Sequence, residues 1–434
     1  MNDLDKFRTE INEIDKQMTD LFERRMKCVR EIAKYKKENN LPIYDENREK
    51  EVIEKNCELL KDKKLTEYYQ KYLIQFMNIS KEYQQQLNEK DDIISVNSSE
   101  GKYEVVVKRG CLEKIDQYFS LNRKVLIIMD KNVPELYRKL IVSKCLKPVV
   151  AYIQAQEKNK NLIECAKLWD MMLQNNFNRH DCVIAFGGGI IGDLGGFVAS
   201  TYMRGIDFYN VPTTLLADVD ASIGGKTAVN YSGYKNIIGC FYPPKKVLID
   251  INMLNSLPER QIRNGLAEAI KMAVLRDKEL FSIFENDLWK DNINSVIYRC
   301  LQIKKDIVQQ DEREGNIRKI LNFGHTVGHG LEMLENDLYH GEGVALGMLT
   351  LCSNKLYKRL TALYKKIGFP IKISIDENKL IEIISHDKKS LENGIDIIYA
   401  EDVEEIYIRK VSLDYLRARI NMIKKGTDNE KQLW

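Results

Sequence analysis

The sequence predicts a multidomain protein: an all-α unit of three helices, then an α/β region, then a mainly helical region. Three observations predict this order. Residues 1–100 hold no glycine and a single proline, Pro42, while all 24 glycines fall from Gly101 onward. A segment without tight-turn residues reads as helical. Apolar runs that end at loops, VLIIMD (125–130), CVIAFGGG (182–189) and KVLID (246–250), alternate with helix-like stretches, which is the pattern of strands buried in an α/β sheet. From about Pro258 to Phe369 helical spacing takes over, and a tail of short mixed elements follows.

A chain of 434 residues is long enough for two or three domains. The expected boundaries are 1–88 for the helical unit, 89–100 for a linker (the polar, turn-rich NEKDDIISVNSSEG), 101–257 for the α/β domain and 258–434 for the helical domain. The 67 basic and 64 acidic residues leave a net charge of +3, which argues against nucleic acid as the main partner. Apolar runs such as Val125–Met129 are far too short to span a membrane. The first residues, MNDLDKFRTE, are charged and read as no secretory signal. Nine scattered cysteines, an odd number without a CxxC spacing, read as reduced thiols in a cytoplasmic protein.

In the first helix Leu4, Phe7, Ile11, Ile14, Met18 and Leu21 step by threes and fours along one face. Continued, that stripe places Arg25 on the buried face. A buried guanidinium needs a partner: either a carboxylate of another helix, or an anionic ligand, with Lys36, Arg48 and Arg8 adding positive charge nearby. A second helix is expected from about Asp45, after the LPIY break. A third is expected from about Leu65 to Leu87, with Tyr69, Tyr72, Phe76, Ile79 and Tyr83 on its inner side and Ser80 and Gln84 as a polar pair on the same side.

RTEIN…ID, LFERRMKCV.EIAKYK, LPIYDENRE and S…Q, taken in order from Leu4 to about Gln86, resemble a chorismate mutase of the all-helical class. The resemblance implies an intertwined homodimer in which Arg8 enters the partner's site. It implies that Arg8, Arg25 and Arg48 hold two substrate carboxylates, that Lys36 and Gln84 donate to the ether oxygen, and that Glu49 takes the ring hydroxyl, supported by Asp45 and Ser80. A pericyclic rearrangement needs a compact near-attack conformer and preorganised donors, and no acid or base. A pocket that only binds chorismate as a sensor, or a dimerisation module, would use the same residue types, so both readings stay open.

Three of the five histidines, His325, His329 and His340, fall within sixteen residues. His325 and His329, four apart, share one helix face, and His340 precedes Gly341 at a turn-like break from which the chain can fold back. The alternatives are a metal centre or structural histidines. In AFGGGIIGDLGGF, Gly187, Gly189 and Gly192 follow a strand-like run, either to admit a pyrophosphate at a helix N-terminus or for packing alone. Glu157 and Lys160 follow another strand-like pair, where an acid can hold ribose hydroxyls.

GGGIIGD, YMRGIDFYNVPTTLLADVDASIGGKTAVN, GYKNIIGCFYPP, GLAEAIKMAV, DEREGNIRKILNFGHTVGHGLE and HGEGVALGM, in order from about Tyr103 to Leu416, closely resemble 3-dehydroquinate synthase. The resemblance implies an NAD domain and a helical metal-binding domain with the site between them. Implied metal ligands are Glu268, His325 and His340, holding Zn2+ or Co2+. Arg204, Lys226, Lys235, Asn236, Lys271, Lys304, Arg318 and Asn322 would meet the substrate's phosphate and carboxylate, with Asp220 and His329 completing the shell. NAD would contact Asp130, Asn132, Glu157, Lys160, Gly188, Gly189, Asp193, Thr213 and Thr214, with Lys226 and Lys235 reaching both ligands. Lys389 matches a further family lysine. Gln261 stands where the family usually carries Glu, which points to an altered peripheral cofactor contact. His180 reads as a surface residue and His386 as a neighbour of the lysine pair.

The implied reaction converts 3-deoxy-arabino-heptulosonate 7-phosphate to 3-dehydroquinate and phosphate through transient oxidation by NAD, phosphate elimination and aldol closure. NAD is then needed only catalytically, and the metal acts as Lewis acid and template. A related sugar-phosphate cyclase is the nearest competing reading. A metal-dependent polyol dehydrogenase fits less well, since its substrate gives Lys226, Lys271, Lys304 and Arg318 no anion to bind.

Overall fold

A computed structural model describes residues 3–39, 46–88, 92–335, 337–387 and 394–425. The chain divides into two compact units, Met1–Asp91 and Asp92–Trp434. The first consists of α1 (Asp3–Glu38), α2 (Glu46–Glu58) and α3 (Thr66–Asn88), joined to a short turn that Asp62 caps through the N–H of Lys64.

The three helices occur where the spacing places them, but their buried faces differ from expectation. Among the described side chains of α1 only Val29 and Ala33 are buried. The stripe from Leu4 to Leu21 is 44–60% exposed, and Arg25 is half-buried. On α3 the buried edge is Leu73, Met77, Ser80 and Gln84, while Tyr72 and Ile79 face out. The reason is geometric: 36 residues make a helix of about 54 Å, and its side-chain contacts with α3 run only from Phe22–Phe76 to Arg30–Tyr83, in its C-terminal half.

The expected linker is largely a strand. Residues 92–98 form β1 (Asp92–Ser98), which pairs antiparallel with β2 (Gly101–Val107), Ile94 opposite Val105 and Val96 opposite Tyr103. The run DDIISVNSSEG reads as polar because every second residue of β1 faces outward, while Ile94 and Val96 are buried.

Strands β1, β2, β3 (Lys124–Asp130), β4 (Lys147–Ile153), β5 (Cys182–Gly187), β6 (Asp207–Pro212) and β9 (Lys246–Ile249) form one sheet of order β1-β2-β9-β6-β5-β3-β4. All pairings except β1–β2 are parallel. Both faces of β3 and β5 are covered, which is why these strands are apolar without alternation. From β3 the chain moves outward to β4, then returns past β3 to β5 on its other side. The order therefore reverses at the β3–β5 pair, where such sheets open a crevice beyond the strand ends.

Between β6 and β9 an antiparallel ribbon stands apart, β7 (Lys226–Tyr231) with β8 (Tyr234–Phe241). A second ribbon, β10 (Ile395–Asp402) with β11 (Glu405–Val411), lies in the C-terminal tail. The helical region is built around Glu259–Arg276, which is buried without interruption from Asn264 to Leu275. Helices Ile293–Gln310, His325–Leu334 and His340–Thr350 belong to the same core.

Candidate metal centre and active site

The three histidines converge. His325 is the first residue of its helix and His329 follows one turn later, with ring centroids 5.1 Å apart. His340 does not sit in a loop, as expected, but is the first residue of helix His340–Thr350. Its ring lies 5.2 Å from that of His325 and 5.7 Å from that of His329. The glycines between them make this possible. A Cβ on Gly347 would lie 1.9 Å from the carbonyl oxygen of Gly324, and one on Gly341 would lie 2.2 Å from that of Asn264. The two histidine-bearing helices and helix Glu259–Arg276 are packed backbone to backbone.

Glu268 projects into this convergence from helix Glu259–Arg276 and is fully buried. Its Oε1 is 3.5 Å from Nε2 of both His325 and His340. His325 Nδ1 donates to the carbonyl of Phe323 at 3.2 Å, and His340 Nδ1 donates to Glu332 Oε1 at 2.7 Å. Both rings are thereby oriented with Nε2 toward the Glu268 carboxylate. Lys271 is the charge partner of Glu268 Oε2, yet neither oxygen receives a well-directed hydrogen bond. A buried carboxylate left so is costly. Two imidazole nitrogens aimed at one carboxylate oxygen form the N,N,O donor set of a divalent transition metal, so the residues fit such an ion. The nitrogens of His325, His329 and His340 also lie within 4.8 Å of one another.

The electrostatics agree. Burial and the Lys271 ammonium push the His325 imidazole down to about 3, which keeps it a neutral ligand. Burial alone would lower His340 too, but Glu268 and Glu332 outweigh it and bring it up to about 10. Burial would raise Glu268, but Lys271 and the two histidines hold it well below the usual carboxylate range. Glu332 comes down to about 2, chiefly through His340, against the effect of burial.

Beside this centre lies a cluster of buried cations. Lys271, Lys304 and Arg318 are each less than 7% exposed. The Lys304 ammonium is 2.9 Å from Asp220 Oδ1, and burial lowers its pKa although Asp220 opposes the shift. Burial likewise lowers Arg318, whose guanidinium donates to the carbonyl of Glu312. Asn322 donates to Glu314 Oε1 at 2.7 Å, and Lys226 is ion-paired with the same carboxylate. Lys235 reaches Glu332 at 3.3 Å. Arg204 stands apart. It is exposed with a left-handed φ of 69°, and no hydrogen bond or ion pair links it to the cluster.

The expected cofactor residues gather at the sheet's crevice. Asp130 ends β3 and its Oδ1 accepts the N–H of Asn132 at 3.0 Å. Gly188 precedes helix Gly189–Thr201 with no side chain capping it, and Thr213 and Thr214 follow β6. A Cβ on Gly188 would lie 3.1 Å from the Thr214 methyl. An uncapped N-terminus between bare backbone and two hydroxyls fits a pyrophosphate. Glu157 and Lys160 lie beyond β4, and the Lys160 ammonium donates to Asp193 Oδ2 at 2.5 Å. Asp193 is raised by burial, with Lys160 opposing. Gln261 departs from expectation. Its Oε1 accepts from Asn264 Nδ2 at 3.4 Å, and Asn264 Oδ1 accepts the N–H of Gly341 at 2.6 Å. Its described contact therefore leads to the start of the His340 helix, not to the cofactor crevice.

Sequence reasoning missed four residues. Glu314, which unites Lys226 and Asn322, lay within the quoted DEREGN segment. Glu332 lies three residues after His329 and seven after His325, on their helix face. Asn264 and Asn230 carried no signal, since amides that hold backbone groups look like any others. His180 is exposed as expected. Lys389 lies outside the described residues, as does the side chain of His386.

In the N-terminal unit the structure brings Arg25 and Ser80 together: the guanidinium donates to Ser80 Oγ and stacks 4.3 Å over the Phe76 ring. Burial lowers the Arg25 pKa. Gln84, one turn on, is buried with Oε1 unpartnered. Glu49 pairs with Lys81 at 2.9 Å, a lysine the sequence reading did not single out. Arg48 turns to Glu51 at 2.6 Å, Arg8 is exposed beside Asp5 at 4.0 Å, and Lys36 is partly buried. Asp45 lies outside the described residues.

Comparison with known proteins agrees. The family model for the 3-dehydroquinate synthase N-terminal part matches residues 150–264 and that for its C-terminal part matches 265–390. The 3-dehydroquinate synthase of Desulforamulus reducens is 38% identical over 343 residues, which cover 73% of this chain and 96% of the relative. The chain belongs to the 3-dehydroquinate synthase family. Residues 7–85 match chorismate mutase type II, so a chorismate mutase domain is fused ahead of the synthase. Among solved structures, the 2-epi-5-epi-valiolone synthase of Streptomyces hygroscopicus with NAD+ and Zn2+ bound aligns with a TM-score of 0.68 at 25% identity, covering 74% of this chain and 96% of that one. A 2-deoxy-scyllo-inosose synthase complexed with carbaglucose-6-phosphate, NAD+ and Co2+ shares the fold, with a TM-score of 0.67 at 23% identity, covering 76% and 99%. No helix among the described residues is long and apolar enough to cross a membrane.

Proposed function

We propose that this chain is a bifunctional shikimate-pathway enzyme of the cytoplasm, acting as a homodimer on two small molecules. The synthase part would convert 3-deoxy-arabino-heptulosonate 7-phosphate to 3-dehydroquinate and phosphate, and residues 1–88 would convert chorismate to prephenate. Within the synthase we assign cofactor binding to 101–257, extended by β1, and metal and substrate binding to 258–434.

One observation carries the synthase reading: the Glu268, His325 and His340 convergence stands beside buried Lys271, Lys304 and Arg318. Four cationic side chains, counting Lys226, face Asp220, Glu268 and Glu314, and a divalent cation would leave a strong positive excess. Such a site suits a substrate with a phosphate and a carboxylate, and it disfavours a neutral polyol. When bound, NAD supplies reversible hydride transfer and Zn2+ or Co2+ supplies Lewis acidity. Glu268, His325 and His340 would hold the metal. Asp130, Asn132, Glu157, Lys160, Asp193, Thr213, Thr214 and the backbone of Gly188 and Gly189 would hold NAD. Lys226, Lys235, Asn236, Lys271, Lys304, Arg318 and Asn322 would fix the substrate's anionic ends. Because the burial of Lys271, Lys304 and Arg318 excludes water, their charges act at low effective dielectric, where they stabilise a leaving phosphate most. Asp220 keeps Lys304 charged and in place, and His329, at the solvent side, would hold or pass a proton.

In the N-terminal unit, Arg25, Ser80 and the unpartnered Gln84 form the kernel of a pocket that orders a dicarboxylate. Arg48, Lys36 and Glu49 would close on it. Arg8 would come from the partner protomer, a view supported by the uncovered apolar face of α1 that carries it. The same kernel would serve a chorismate sensor. Chorismate consumption by the full chain, and its loss in Arg25→Ala and Lys36→Ala, distinguishes the two readings.

The deciding experiment is phosphate release from 3-deoxy-arabino-heptulosonate 7-phosphate with catalytic NAD+ and zinc. Release that a chelator abolishes, without accumulation of NADH, is expected. No release from folded, metal-loaded protein would point to another sugar-phosphate cyclase.

A further inference from the structure

Asn230 touches both the loop assigned to the cofactor and the hairpin assigned to the substrate phosphate, and neither assignment accounts for it. It lies where the β7–β8 register shifts, between Val229 and Tyr231. An irregularity of this kind frees a residue from the ladder and re-aims its side chain. Asn230 Nδ2 donates to Glu157 Oε1 at 2.8 Å and to the Glu157 carbonyl at 3.1 Å. Its Oδ1 accepts the N–H of Asn236 at 2.8 Å. Its own N–H donates to the Lys160 carbonyl at 2.8 Å, and the chain forms a one-residue parallel bridge with Asn161.

Both polar atoms of one amide are thus divided between two segments far apart in sequence. Asn236 has a left-handed φ of +57°, a conformation asparagine tolerates better than most residues with a side chain, and the Asn230 amide holds its N–H in that turn. Lys160 closes the ring: its ammonium donates to Asp193 and also to the side-chain oxygen of Asn236.

We propose that Asn230 is a positioning residue that couples NAD binding to phosphate binding. The inference rests on reading Glu157 and Lys160 as cofactor contacts and Asn236 as a phosphate contact. An anion that engages Asn236 fixes the hairpin, and through the Asn230 amide it fixes the Glu157 loop. The ordering of that loop is then already complete when NAD+ arrives, so NAD+ binds more tightly. Linkage makes the effect reciprocal. Only an amide does this at this length. Aspartate keeps the acceptor for the Asn236 N–H but presents a second carboxylate to Glu157, and alanine makes neither bond.

The test is calorimetric titration of NAD+ into the zinc-loaded full chain, with and without saturating inorganic phosphate, for wild type, Asn230→Ala and Asn230→Asp. Phosphate should tighten NAD+ about fivefold in wild type. In both variants that ratio should fall to about one, while melting temperature and zinc content stay near wild type in the isosteric Asn230→Asp. A ratio that survives in both variants overturns the proposal. So does a wild-type ratio of one when both ligands bind. Failure of wild type to bind NAD+ at all is a separate outcome, which removes the cofactor reading and this proposal with it.

Discussion

Glu332 and His340 form a carboxylate–imidazole pair, Oε1 to Nδ1 at 2.7 Å, whose other ring nitrogen faces Glu268 at 3.5 Å. Glu332 therefore selects the tautomer and the rotation of a proposed metal ligand from one shell away. Orienting carboxylates of this kind set ligand basicity, and their loss costs about 10- to 100-fold in metal affinity. Glu332→Gln should weaken zinc by that amount in competition with a chromogenic chelator. An unchanged zinc affinity would remove Glu332 from the metal centre's support.

Lys304 and Asp220 offer a test of what the buried cations do. Lys304→Met leaves Asp220 without its partner, and breaking a buried pair costs about 3–5 kcal/mol. Adding Asp220→Asn should restore much of the melting temperature. Phosphate release should stay depressed by at least about 100-fold in both variants, since an anion-binding donor is still missing. Turnover that recovers along with stability would show Lys304 to be structural.

The acid limb of stability has a nameable contributor. Asp277 accepts two hydrogen bonds from Arg299, each 2.7 Å, and caps helix Lys278–Glu285 through the N–H of Leu280 at 2.8 Å. Burial would raise its pKa, but Arg299 and the capping N–H groups outweigh that and lower it. A carboxyl lowered by folding stabilises the fold above its unfolded pKa, and the contribution is lost as pH falls through the folded value. Asp277→Asn keeps the cap, since asparagine caps as well as aspartate, but loses the charge. It should cost about 1–2 kcal/mol at pH 7 and nearly nothing near pH 2. A deficit in the urea midpoint that stays constant between those pH values would contradict the assignment.

The sequence displayed the site better than the fold's margins. The histidines were conspicuous because His325, His329 and His340 fall so close together, whereas Glu268 was reached only through the family resemblance; the structure brings Glu268, His325 and His340 together. Strands β3 and β5 were legible because burial on both faces leaves a plain apolar run. Strand β1 was not, because as an edge strand it alternates and its outward residues are those of a linker. The true inner edge of α3 was shifted by one residue, since aromatic side chains at Tyr72 and Ile79's side of the helix look like core although Leu73 and Met77 fill that role. Glu314 and Asn230 act only through what they hold, and no property of the residue alone announces that.

The apolar stripe of α1, Leu4 to Leu21, is the largest departure from a self-sufficient unit, and it predicts a partner. Six large side chains about half exposed on one helix face would each gain about 1 kcal/mol if fully covered. If the cover is α1 of a second chain, Ile14→Asp should yield a smaller species by light scattering, or a dimer held only through the synthase part, with chorismate turnover lost. Arg8 gives the sharper test, because it lies on the same helix, exposed, while Arg25 is seated with Ser80. Should Arg8 serve the partner's pocket, Arg8→Ala and Arg25→Ala would each be inactive alone. Mixed under conditions that exchange subunits, they would form heterodimers in which one pocket combines an intact Arg25 with an intact Arg8, and the other lacks both. Chorismate turnover should return to about a quarter of wild type at equal mixing, since half the dimers are mixed and each has one working pocket. If Arg8 serves its own chain, every pocket in the mixture carries one lesion and no activity returns.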